Sequence, residues 1–292
     1  MKLYVGCPIW TYKGWIGSLF PERTKSSDYL REYARRLTTV EGNTTFYAVP
    51  AEDTIRRWVE ETPETFQMCP KLPRTISHAG KLVTHIEEAR RFLEVMSQLG
   101  SRLGPMFLQL PPRYSPKLFE DLRAFLNVWP QQQRLAVEVR HPDWFDSEHN
   151  ERLNRLLSER GMARVVIDTR PIRDLREDRI LEGSVYLRML EARERKPDVP
   201  ILPERTTDFA FLRYIGHPLM ERNAPFLDEW ADYLGSLIRE GDEAYVFCHC
   251  PDERLDPWLC RELHQRIADK VPVSPLPWDE ADGDTARQPR LL

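Results

Sequence analysis

The sequence predicts a (β/α)8 barrel of the TIM type, built as one domain, and three observations carry that expectation. First, eight short β-rich runs alternate with helical patterns along almost the whole chain. Parallel strands need crossover connections, and helices supply them. Second, the run 134–145, RLAVEVRHPDWF, puts Leu135, Val137 and Val139 on one face and Ala136, Glu138 and Arg140 on the other. A strand that is aliphatic on one side and ionic on the other suits a barrel, whose outer face packs on helices and whose inner face turns polar near the C-terminal rim. Third, no Gly-x-Gly-x-x-Gly follows any strand. That leaves the competing doubly wound sheet, and any nucleotide cofactor, without sequence support.

In chain order the expected strands are 3–6, 39–43, 66–71, 106–110, 134–140, 163–168, 208–213 and 244–249. Between them, Leu30, Tyr33, Ala34 and Leu37 recur at helical spacing, with Ser27 placed to cap. Ile86, Ala89, Leu93 and Met96 lead to a stop at Gly100, and Pro116 opens a helix carrying Leu122, Phe125 and Leu126. Leu153, Leu156 and Leu157 end at Gly161, Trp230 to Ile238 ends at Gly241, and the last helix carries Leu259, Leu263 and Ile267. Residues 169–206 exceed an ordinary loop and are expected to hold a helix near 184–195. The barrel is assigned to 1–278 and a polar, disordered tail to 279–292.

Composition narrows the partners. Forty-two basic and 46 acidic side chains leave a net charge of −4, mixed throughout, which disfavours a protein that coats nucleic acid with bulk positive charge. No apolar run is long enough to span a bilayer, so no membrane partner is expected. Five cysteines form no small disulfide framework, and the chain is expected in the cytoplasm.

If aliphatic residues face the helices, their alternates face the barrel axis. That places Glu41, Asn43, Lys71, Gln109, Glu138, Arg140, Asp168 and Arg213 at one mouth, where three acids and three bases meet. His141 stands at the end of its strand, and His249 faces inward with Tyr245 and Phe247. The expected catalytic set is therefore Glu41, Glu138, His141, Asp168 and His249. The expected substrate-binding set is Trp10, Tyr12, Asn43, Lys71, Gln109, Arg140 and Arg213, with the aromatics of the first loop as packing or as a stacking wall. Cys248-His249-Cys250 looks like a ligand cluster, but alternation sends His249 one way and both cysteines the other, so no metal site is assigned. Two carboxylates beside a histidine suit general acid–base work and equally a divalent cation.

The segments VGCPIWTYKGW, VEGNTTFYAVP, PKLPRTISH, LGPMFLQLPP, VEVRHPDWF and VVIDTRP together resemble the YecE-like TIM-barrel family, DUF72, from about residue 3 to 268. RKPDVP, FLRYIGHP and FCHCPD look closest to the branch of the namesake protein. The resemblance implies a TIM-type barrel and supplies no activity. Function is therefore expected from the mouth alone. One expectation is an enzyme doing acid–base chemistry, metal-assisted or not, on a small polar or anionic substrate. The other is a phosphate- or nucleic-acid-binding protein that uses the same cations and aromatics without turnover.

Overall fold

In the computed structural model, which describes residues 2–173, 181 and 183–280, each strand is followed by one principal helix. The strands are β1 (Leu3–Cys7), β2 (Thr39–Gly42), β3 (Gln67–Pro70), β4 (Met106–Gln109), β5 (Leu135–Glu138), β6 (Ala163–Asp168), β7 (Phe209–Ile215) and β8 (Glu243–His249). The helices are α1 (Tyr29–Ala34), α2 (Glu52–Glu61), α3 (Ile86–Ser97), α4 (Phe119–Val128), α5 (Ser147–Glu159), α6 (Gly183–Arg195), α7 (Ala224–Arg239) and α8 (Asp256–Ala268). The strands form one parallel sheet in the order β3-β2-β1-β8-β7-β6-β5-β4, a nearly closed single-domain barrel. The sequence-predicted fold is the observed one.

The sheet order ends at β3 and β4, and isolated bridges join them, Met68 to Leu103 and Lys71 to Phe107. The Leu72 amide adds a hydrogen bond to the Phe107 carbonyl at 2.9 Å. Backbone contacts gather the chain into two compact units, residues 1–40, 167–198 and 212–292 in the first and 41–166 and 199–211 in the second.

In the first unit, Leu3, Val5 and Cys7 of β1 face helices, and the Cys7 sulfur lies 3.8 Å from that of Cys260 on α8. Tyr4 pairs with Tyr245, the rings stacking at 4.6 Å, so Tyr245, Phe247 and His249 take the inner face. Cys248 therefore turns outward, into the buried thiol group with Cys7 and Cys260, where burial pushes its titration and that of Cys7 upward. In the second unit, β4 and β5 pair in register from Met106↔Leu135 to Gln109↔Glu138. Neighbours in a parallel pair point the same way, so Phe107, Gln109, Ala136 and Glu138 share the inner face.

Some expectations shift. The 26–28 stretch is a 3-10 turn, and α1 starts after Asp28 with no side-chain cap, so Ser27 caps nothing. The long β6–β7 connection holds α6 and a short helix, Arg170–Arg173. The sequence-based boundary at 278/279 falls inside a last helical turn, Pro277–Glu280, and the disorder expected of the tail concerns residues 281–292, outside the described residues.

Asp168 is the substantive correction. Val137 pairs with Arg164 in the β5–β6 ladder, which puts Arg164, and with it Val166 and Asp168, on the helix-facing side. Arg164 duly reaches Asn150 and Asn154 on α5, which in turn hold Glu204. Alternation misled here because Ala163, Val165 and Ile167 are as aliphatic as an outer face is expected to be, yet they point inward.

Candidate functional site

In the second unit, three strand ends deliver one hydrogen-bonded chain of side chains. Lys71 follows β3 directly, Gln109 closes β4 and Glu138 closes β5. Pro142 stops the strand soon after, so Arg140 can fold back over Glu138. The Gln109 Oε1 accepts from the Lys71 ammonium at 3.0 Å and from the Arg140 Nη2 at 2.8 Å. Arg140 Nε donates to Glu138, which is wholly buried. A single amide oxygen thus holds two cations side by side. The described residues give the remaining Arg140 nitrogen, Nη1, no partner.

Beside this chain, four cations act on His78. His78, at the end of the short helix Arg74–Ser77, is half-buried and its Nδ1 lies 2.8 Å from the Ser77 hydroxyl. Its titration is pushed down to about 4, first by burial and then by Lys71, Arg140, Arg113 and Arg74. Arg113 is tied to the site by a bond to the His78 carbonyl. The imidazole is therefore neutral at physiological pH, a donor–acceptor among four cations. The folded His78 holds its proton more weakly than an unfolded one, whose ordinary value is 6.5. Its contribution to stability is complete above that value and is lost as pH falls toward 4, about 1 kcal/mol after allowance for its partial exposure. Comparing the pH dependence of urea unfolding in the protein and in His78→Asn should show that slope only in the former.

Phe46 completes the group. Its ring lies 4.3 Å below the Lys71 ammonium and edge-on to His78 at 5.0 Å. The short helix that carries it, Thr44–Tyr47, is clamped by the Thr45 hydroxyl, which sits 2.8 Å from the Gly42 carbonyl and 2.6 Å from that of Lys71. Glu41 is wholly buried at the end of β2, and Asn43 precedes the clamped turn.

A family model described as "Protein of unknown function DUF72" matches residues 4–281. The chain belongs to the DUF72 family. The UPF0759 protein YecE of Escherichia coli (strain K12) is 34% identical over 92% of this chain and 94% of its own length. The UPF0759 protein YunF of Bacillus subtilis (strain 168) is 25% identical over 84% of this chain and 87% of its own. Two solved DUF72 family proteins share the fold. One, from Enterococcus faecalis V583, has a TM-score of 0.66 and 17% identity over 93% of this chain and 96% of that one. The other, from Thermotoga maritima MSB8, has a TM-score of 0.62 and 22% identity over 91% and 100%.

The remaining sequence-predicted residues of this DUF72 barrel lie in other settings. His141 caps the turn Pro142–Phe145, its Nδ1 accepting from the Asp143 amide at 3.2 Å. Asp168 is wholly buried and bonded to Arg170 (Nε 3.0 Å, Nη2 2.8 Å) and to the Trp230 indole nitrogen of α7 at 2.7 Å. It is a structural ion pair facing the helices, not an inward acid. In the first unit, Arg213 and His249 are buried on the inner face, since Tyr214 turns outward to Asn223 and Cys248 to α8. Trp10 is buried, and Tyr12 packs edge-on against Trp15.

Sequence reading missed Arg74, on a one-turn helix, Arg113, on a loop, and Glu253, in the turn after β8, since none of them lies in a periodic pattern. Asp252 is taken by Arg254 at 2.7 Å, whereas the titration of Glu253 beside it is raised by desolvation of its carboxyl and by Asp252. Among the described residues no group of three or more His, Cys, Asp or Glu is arranged to hold a metal ion, and no helix is long and apolar enough to cross a membrane.

Proposed function

We propose that this DUF72 protein takes a small anionic substrate against Lys71 and Arg140 and does acid–base chemistry on it with Glu138 and Glu41. The observation that carries the reading is the shared Gln109 oxygen, which aligns an ammonium and a guanidinium at 3.0 and 2.8 Å beside a neutral His78. Two cations held close repel each other, and an anion bridging them relieves that cost. The unpartnered Nη1 of Arg140 offers the first donor, and the guanidinium fork matches carboxylate or phosphate. Glu138 lies within the same hydrogen-bonded chain, where a bound group presents its proton. The five free thiols, all buried, suit a reducing cytoplasm.

Calorimetric titration of phosphate, sulfate and acetate tests the clamp. The protein should give a saturable response that Arg140→Ala weakens at least ten-fold. Because Arg140→Ala leaves the Glu138 charge buried alone, the double variant Glu138→Gln/Arg140→Ala is titrated beside it, and it should fold and show the same loss. Equal, non-saturable responses in all three proteins would remove the anion reading. An independent readout is His78 itself. Saturating phosphate should move its NMR titration midpoint upward from about 4, since a nearby anion favours the imidazolium; a midpoint unmoved by phosphate places the anion elsewhere.

A further inference from the structure

We infer that the anion received at Lys71 and Arg140 carries a flat aromatic ring, which rests against Tyr47. This rests on the anion reading of the same site and specifies the body of the substrate. Tyr47 is 73% exposed, and Val49 beside it is 46% exposed. Most of the ring stands in water, with one edge against Phe46. The Thr45 hydroxyl anchors the turn at both Gly42 and Lys71, so the backbone that carries the ring is fixed.

Phe46 joins the exposed ring to the cation. Tyr47 stands edge-on to Phe46, with centroids 5.2 Å apart and planes at 88°, and Phe46 lies 4.3 Å from the Lys71 ammonium. A planar ring laid against Tyr47 and Phe46 can carry a phosphate or carboxylate toward Lys71. Val49 extends the apolar lip, while Arg74 and Arg113 keep the potential positive around His78. Charge at one end and an aromatic surface at the other complement an aryl phosphate or aryl carboxylate better than a bare inorganic ion or an aliphatic acid, because the ring quadrupole adds to area burial.

Three probes separate the possibilities: inorganic phosphate, phenyl phosphate and cyclohexyl phosphate, each titrated into the protein and into Tyr47→Ala. Phenyl phosphate should bind at least ten-fold more tightly than inorganic phosphate and more tightly than cyclohexyl phosphate. In Tyr47→Ala, an exposed substitution that leaves the core untouched, the ratio of phenyl to inorganic phosphate affinity should fall to about one. Saturable phosphate binding with phenyl phosphate no tighter, with cyclohexyl phosphate equal to phenyl, or with a ratio that survives in Tyr47→Ala, overturns the aromatic inference and leaves the anion reading standing. Failure of all three probes to saturate defeats the anion reading itself, and the inference with it.

Discussion

Asp168→Ala should lose about 3 kcal/mol of stability, the cost of removing a buried carboxylate that satisfies a buried indole N–H and a part-exposed guanidinium. The carboxylate accepts from the Arg170 amide, Nε and Nη2 and from the Trp230 indole, and Arg170 in turn reaches Glu229 at 2.9 Å. Truncation leaves a buried indole N–H without an acceptor and frees the guanidinium from its seat. Asp168→Asn, which keeps an acceptor and loses the charge, should cost roughly half as much. Urea unfolding measures both. The contrast with Arg140→Ala distinguishes a structural acid from a site residue. Folded Asp168→Asn should retain phosphate binding, and a variant that is fully stable yet no longer binds would restore Asp168 to the site.

Asp256→Asn is expected to stabilise the protein by about 2 kcal/mol at pH 7, the order of cost for a folded carboxyl that keeps a proton the unfolded chain has released. Asp256 opens α8 and is wholly buried, and neither carboxylate oxygen reaches hydrogen-bond geometry among the described residues. Burial raises its titration well above the ordinary 3.8, with Cys260 and Glu253 adding to the effect. The folded carboxyl thus keeps its proton where the unfolded one has released it. Native stability falls as pH rises above about 4, and an asparagine escapes that fall. Stability curves of the two proteins should meet near pH 4 and separate steadily toward pH 7. Parallel curves, or a less stable variant, would mean that Asp256 is satisfied in the folded protein.

How far a sequence shows a site depends on what fixes each side chain's direction. Glu138 and Gln109 were legible because β5 and β4 each carry aliphatic residues on only one phase, so alternation has a single solution. The strand ARVVID has aliphatic residues on both phases, and only its register against β5, Val137 opposite Arg164, turns Asp168 toward the helices. His249 and the Cys248–Cys250 pair were separable because a regular strand cannot aim neighbours at one point. His141 is adjacent to Arg140 yet spends its Nδ1 on a turn, a local hydrogen bond that periodicity does not reveal. Arg74 opens a helix of a single turn and Arg113 lies on a loop, and at such places nothing in the pattern distinguishes a cation near His78 from one in solvent. The exposed Tyr47 was visible as a residue type but not as a surface, because exposure is set by tertiary packing.

Lys71 stands where the first and last strands of the sheet order meet, paired across the gap with Phe107 while its ammonium serves Gln109. One residue therefore belongs both to the β3–β4 junction and to the cradle proposed for an anion. Amides at that junction exchange through local openings that part the two strands. An opening that parts Leu72 from Phe107 also carries Lys71 away from Arg140. Occupancy of the cradle and integrity of the junction are thus thermodynamically linked, and a bound anion should slow exchange at the Leu72 amide by the factor with which it favours the closed state. Under the anion reading proposed above, a ligand that bridges Lys71 and Arg140 also ties β3 to β4.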